Sequence, residues 1–251
     1  MKKKNFFAHL AKTGLALSAA LLISLGLASC SKNKKEECLI YMETDKKIDD
    51  SFRLAIGEDE GPLTVIGAEL ESSIKSGRLV MSYKLKARKL DVKGNFTVFD
   101  CDDNSLTSLN LGANKGLKEL WCSNNKLVKL DLSNSKELSE IRCNNNILSE
   151  LKTGDNKQLK SLRCEDNELP GLDLSGNTSL KELVCYGNKI PGYNLKLPNV
   201  KNIGGGKIFF KTSKDGEQKL SKAKVKELKE DLGWKVLCKS GIEWVDYEGE
   251  D

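Results

Sequence analysis

Cysteines stand at Cys101, Cys122, Cys143, Cys164 and Cys185, each 21 residues after the last. Thiols on such a beat could bind a metal, pair as disulfides, act as nucleophiles or fill a core. The spacing resembles no zinc pattern of the C-x-x-C kind. The single histidine is His9, so the repeat region has no imidazole, the commonest general base and metal ligand. Adjacent carboxylates, Asp102 with Asp103 and Glu165 with Asp166, have the chemistry for acid–base work or calcium binding. As exposed acidic pairs at strand ends, they read as solvated charge. "GGG", Gly204 to Gly206, leads into a strand pattern and not a helix, the wrong context for a phosphate cradle. Neither G-x-S-x-G nor H-E-x-x-H occurs. The residues point away from an enzyme, and no cofactor or metal is expected.

The elements that carry the cysteines repeat with them. Asn104, Asn125, Asn146, Asn167 and Asn188 keep the 21-residue step, as do Phe99, Leu120, Ile141, Leu162 and Leu183. Leu109, Leu130, Leu151 and Leu172 form another column, and Leu117, Leu138, Leu159 and Leu180 another. One such repeat is one coil of a solenoid. It cannot bury its apolar side alone, but stacked coils can. In "LWC", Leu120 to Cys122, strand alternation sends Leu120 and Cys122 to the core and Trp121 the other way. Cysteine is small and packs as a buried hydrophobe. Neighbouring rungs lie about 4.8 Å apart, within disulfide reach, but an odd row of five facing one way fits free thiols. The asparagine amide sits where the chain leaves the strand and can satisfy buried backbone groups. "KLDLSN" and "GLDLSGN" supply the outer wall. Three positions depart from their columns: Thr153 and Tyr193 stand where a leucine is due, and Ser135 where an asparagine is. The next cysteine position is Gly206, so the row of cysteines ends there.

The L-x-x-L-x-(L/C)-x-x-N spacing over this period is the leucine-rich-repeat signature. The chain resembles the internalins, specifically the 21-residue class with a cysteine ladder, and leucine-rich-repeat lipoproteins of Bacteroidota. The resemblance implies a leucine-rich-repeat horseshoe, an α/β solenoid that is mostly β, over residues 96–203. Residues 38–95 alternate in "CLIYM", "SFRLAIG", "PLTVIG" and "KLDVKGN", which predicts a β-rich N-terminal cap. "KLDVKGN" imitates the outer half of a repeat. Residues 204–251 predict a β-α-β C-terminal cap: strand "KIFFK", a helix from the N-cap Ser221 to Gly233, and strand "WKVLC". The "EWVDYEG" tail is expected beside it. Cys38 and Cys238 fall in opposite caps, which argues against their pairing.

At the N-terminus, three lysines precede an apolar stretch too short for a comfortable membrane span, ending in "LASC". Residues 1–29 read as a secretory signal. The cysteine resembles a bacterial lipobox, which implies that Cys30 carries lipid; an ordinary signal with a chance cysteine is the alternative. Residues 30–37 read as a solvated tether, and "KKEE" resembles short surface-export signals. The formal +5 belongs mostly to the signal. Without its four lysines, 37 basic residues face 36 acidic ones, so net charge gives no support for nucleic-acid binding.

On the expected concave face, Trp121, Arg142, Arg163 and Val184 form one outward column with Asp100. Glu119, Glu140 and Glu182 lie in the next, and Tyr186 in a third with Asp102 and Glu165. Trp, Tyr and Arg are the types that most often anchor interfaces. The expectation is a monomeric, lipid-anchored outer-membrane module, exposed on the surface and adhesin-like by resemblance. It would bind a protein through Trp121, Arg142, Arg163, Tyr186, Glu119 and Glu140. A structural or assembly protein of the outer membrane or periplasm is the alternative.

Overall fold

Alternation within three residues sets the first element of every coil. Leu120 and Cys122 are fully buried and Trp121 faces outward, as a pleated strand requires. The computed structural model describes residues 38–57, 63–75, 77–112, 114–211, 219–240 and 243–250. The signal segment 1–29, the tether 30–37 and Cys30 lie outside them.

The fold is mostly β, with a β-solenoid at its centre and little helix. Before the repeats come β1 (Cys38–Thr44), β2 (Ser51–Gly57), β3 (Thr64–Ile66), β4 (Ala68–Lys75), β5 (Arg78–Leu85) and β6 (Lys89–Gly94). The coils then alternate between two walls. Strands β7 (Val98–Asp100), β9 (Glu119–Trp121), β11 (Glu140–Arg142), β13 (Ser161–Arg163) and β15 (Glu182–Val184) form one wall. Strands β8 (Leu106–Asn110), β10 (Lys129–Asp131), β12 (Glu150–Lys152), β14 (Leu172–Asp173) and β16 (Leu195–Lys196) form the other. Last come β17 (Gly206–Lys211), α1 (Lys222–Lys226), β18 (Trp234–Ser240) and β19 (Glu243–Asp246).

The first wall is the centre of an eleven-stranded sheet, ordered β19-β18-β17-β15-β13-β11-β9-β7-β2-β5-β4. Its repeat strands are parallel and in step: Leu120 pairs with Ile141, and Ile141 with Leu162. The core fills the space between the walls. Leu127, Leu130, Leu132 and Leu138 close one coil and are buried.

Each coil turns out of the long sheet through a left-handed residue. Asp103, Asn124, Asn145, Asp166 and Gly187 all have φ between 53° and 65°. Short polar side chains and glycine tolerate that conformation best. The five cysteines, one per coil, are fully buried and free.

Several expectations need correction. Tyr193 counts into the leucine column but is 81% exposed. A short 3-10 turn at Gly192–Asn194 adds two residues, so Leu195 pairs with Leu172 instead. Gly206 does not occupy the next cysteine position. Leu183 pairs with Ile208, which puts the fully buried Phe210 there. "KLDVKGN" lies on the outer side, but antiparallel and one strand removed: β1 separates β6 from β8.

Strands β4 and β5 were not anticipated, and they extend the long sheet beyond β2. The C-terminal helix runs from the N-cap Ser221 as expected, but only Lys222–Lys226 is α-helical and Glu227–Asp231 continues it as a π-helical turn. Ser221 Oγ accepts from the Lys224 N–H at 3.2 Å, and Val225 and Leu228 are buried. Strand β18 is parallel to β17, and β19 is antiparallel to β18. Thr153 and Ser135 are both buried; the Thr153 hydroxyl donates to Asn177 Oδ1 at 2.9 Å.

Candidate functional site

The outer face of the long sheet carries the side chains that the core does not use. Strand register sets two rows along it. Glu119, Glu140, Ser161 and Glu182 make one; Asp100, Trp121, Arg142, Arg163 and Val184 make the other. Asp102, Ser123, Asn144, Glu165 and Tyr186 follow two residues after the second row.

At the centre stands Trp121, half-buried between two guanidinium groups. Arg142 Cζ is 4.0 Å from its ring centroid, and Arg78 Cζ is 3.4 Å from it. Each contact of this kind contributes about 0.5–2 kcal/mol, more as water is excluded. Arg78 also reaches Glu119 at 3.2 Å and Asp100 at 3.6 Å. Arg142 Nε donates to Glu140 Oε1 at 2.7 Å. One coil on, Arg163 binds Glu165 at 2.8 Å. The two arginines read as available to a partner are thus already paired with this chain's own carboxylates.

Arg78 was not foreseen. It arrives from β5, an antiparallel strand that no repeat column announces. The structure brings Trp121, Arg142, Glu119 and Glu140 together with it. Arg163 stands apart with Glu165, which is 3% exposed and leaves its Oε2 atom without a hydrogen bond.

Tyr186 belongs to another group. Its ring is 5.6 Å from that of Trp244, which meets Phe209 edge-on at 5.0 Å. Val184, placed outward by count, is buried at 6% exposure. It pairs with Phe209 on β17, so that end of the face is an apolar packing surface and not a solvated one.

The asparagine column ties coils together. Asn125 Nδ2 donates to the carbonyls of Cys101, Cys122 and Ser123, and its Oδ1 accepts from the Asn104 and Leu106 N–H groups. Asn167 and Asn188 repeat the donor pattern one and two coils beyond Asn146. Asn104 has no earlier coil, and its side chain bonds Arg53 on β2.

Reactive chemistry is weak here. Burial pushes the thiols of Cys101, Cys122, Cys143 and Cys164 up, and a nucleophile must be thiolate. Among the described residues, no group of three or more His, Cys, Asp and Glu could hold a metal ion.

Asp102 is the perturbed carboxyl. Burial, and then the charge of Asp100, push it up to about 6. Its folded value exceeds the unfolded one, so the native state holds the proton more tightly. Stability from this group is present below about pH 4 and is lost as pH rises toward 6. Asp102→Asn should therefore raise the melting temperature at pH 7.5, with the gain vanishing near pH 3.5. A gain that does not change with pH would contradict the assignment.

No protein-family model matches the chain, and no curated protein matches it.

Proposed function

We propose that the chain is a lipid-anchored leucine-rich-repeat protein of the cell envelope, with no catalytic activity, that binds a protein partner through its concave face. In this reading the repeats form a horseshoe. Strands β1 to β6 cap it at one end and the β17-α1-β18 unit at the other, and Cys30 holds the lipid. The family likeness to internalins rests on the repeat columns alone.

One observation carries the binding reading: the stack of Arg78, Trp121 and Arg142 at the centre of the sheet face. Trp and Arg dominate the energetics of protein interfaces. Here Glu119, Glu140 and Asp100 hold them in place before any partner arrives, so little ordering remains to oppose association. Because the guanidinium groups are already neutralised, the partner surface that fits is aromatic or polar and not simply acidic.

The test is a binding measurement on a partner captured from envelope or host extracts. Trp121→Ala combined with Arg142→Ala should weaken that complex at least tenfold, which is about 1.4 kcal/mol. The stack also ties Arg78 of β5 to Trp121 of β9 across the intervening β2 and β7, so a loss of about 1–2 kcal/mol in stability should accompany it. Lys129→Ala on the other wall, where the lysine pairs with Glu150, should leave binding intact. Normal binding by the folded double variant would defeat the proposal.

A further inference from the structure

Charge is sorted between the two rims of the solenoid. The turns that enter the long sheet carry Lys115, Lys136 and Lys157 in one 21-residue column, and Lys118, Lys160 and Lys181 in another. All six are exposed. Backbone bonds fix the second column across successive coils: Ser139 N–H to the Lys118 carbonyl, Lys160 to Ser139, Lys181 to Lys160, and Lys207 to Lys181. Lys160, Lys181 and Lys207 therefore follow one another at about 4.8 Å, inside the screening length of about 8 Å at physiological salt, while Lys118, with Ser139 between, lies two coils from Lys160, about 10 Å away. Their charges repel one another and act together on anything that approaches.

These lysines differ from those on the opposite rim and the outer wall. Lys126 and Lys189 on the opposite rim pair with Asp45 and Glu168. On the outer wall, Lys129 and Lys152 pair with Glu150, and Lys196 with Asp173. Among the described residues, Lys115, Lys118, Lys136, Lys157, Lys160, Lys181 and Lys207 form no ion pair. The acids on the same turns are Glu137 and Asp155. The stripe runs into a groove of about 510 Å³ lined by Lys181, Lys207, Lys235 and Glu182. Gly204, Gly205, Gly206 and Gly233 leave its floor bare of side chains.

We propose that this rim binds a linear acidic polysaccharide, with carboxylate or sulfate groups meeting lysines on successive coils. Lys115, Lys136 and Lys157 step by one coil each, which matches a chain that carries charge on nearly every sugar. Ser139, Gln158 and Thr178, interleaved with the lysines, offer hydrogen bonds to sugar hydroxyls. Single-stranded nucleic acid fits less well, because the rim has no aromatic side chain for base stacking. A membrane surface fits less well too. The lysines form a narrow ribbon, and none of the exposed large apolar side chains lies on these turns, so nothing would insert between lipids. The site is separate from the Trp121 stack, and its failure would leave the partner-binding proposal standing.

The test uses the full chain and four probes: heparin, polygalacturonate, a single-stranded oligonucleotide and phosphatidylglycerol vesicles. The wild type should bind at least one of the two glycans, with affinity falling steeply as salt rises. Lys118→Glu with Lys160→Glu and Lys181→Glu should weaken glycan binding at least tenfold with little change in melting temperature. A charge-matched control, Lys47→Glu with Lys89→Glu and Lys239→Glu, should change it less than threefold. The proposal fails if neither glycan binds, or if the oligonucleotide or the vesicles bind more tightly than both. It also fails if the control loses as much affinity as the rim variant.

Discussion

Replacing Cys143 by lysine should cost about 3–5 kcal/mol, a large fraction of a typical domain's stability. Cys143 is fully buried in the third of five repeat coils. Its Sγ lies 3.5 Å from the Arg163 carbonyl, and apolar side chains of neighbouring coils surround it. The carboxylate whose charge reaches the thiol, Glu165, is already paired with Arg163 at 2.8 Å. The lysine would have to bury an unpaired charge, surrender its proton or force the coils apart, and each is costly. Cys143→Ser is the contrast. A hydroxyl is only slightly smaller than the thiol and can donate to the same carbonyl, so it should cost about 1–2 kcal/mol. Urea denaturation of the two variants checks this. A lysine variant as stable as the serine one would show that the position is not in the core. The same burial predicts that thiol reagents reach the partly buried Cys238 before any of the five repeat cysteines.

The solenoid was legible because its information is periodic. A side chain that must meet its equivalent one coil away returns in phase, and the columns of leucine, cysteine and asparagine record that contact directly. Counting fails where the period breaks. Two extra residues in the turn at Gly192–Asn194 move the core position to Leu195, and a further shift brings in Phe210. Neither shift leaves a column to count. The outward side chains were legible in direction but not in state. Alternation put Trp121, Arg142 and Arg163 on one face. It could not show that Glu140 and Glu165 neutralise the arginines, because rotamers decide that. Arg78 was out of reach for another reason. Its position depends on β5 pairing with β2, a non-repeating antiparallel contact with no period to read. Val184 shows the reverse error: the strand frame was right, but Phe209 beside it and the Tyr186–Trp244–Phe209 cluster turn that end of the face into packing.

Asn146→Asp should lose several kcal/mol at pH 7.5, although it changes one atom. Asn146 is 7% exposed. Its Nδ2 donates to the carbonyls of Cys122 at 3.0 Å and Cys143 at 3.1 Å, and more weakly to Asn144 at 3.4 Å. Its Oδ1 accepts from the Leu127 N–H at 3.0 Å. Aspartate keeps the acceptor and replaces the donor with a charged oxygen facing three carbonyl oxygens. Each carbonyl left unsatisfied costs about 1–3 kcal/mol, and the repulsion adds to that. The fold can relieve it only by protonating the carboxyl, which raises that group's pKa above the unfolded value of about 3.9. The sign follows: the deficit is full above the raised folded value, shrinks as pH falls through it, and is smallest below about pH 4. Asn146→Ala, which also removes the contacts, should show a deficit with no such pH dependence. The neighbour supplies the control. Asn145 is exposed, with φ 53°, and Asp166 already fills the equivalent place one coil on. Asn145→Asp should therefore cost less than about 0.5 kcal/mol. If the two aspartate variants melt together at pH 7.5, the amide at Asn146 is not what joins the coils, and the stacking must rest on the apolar columns alone.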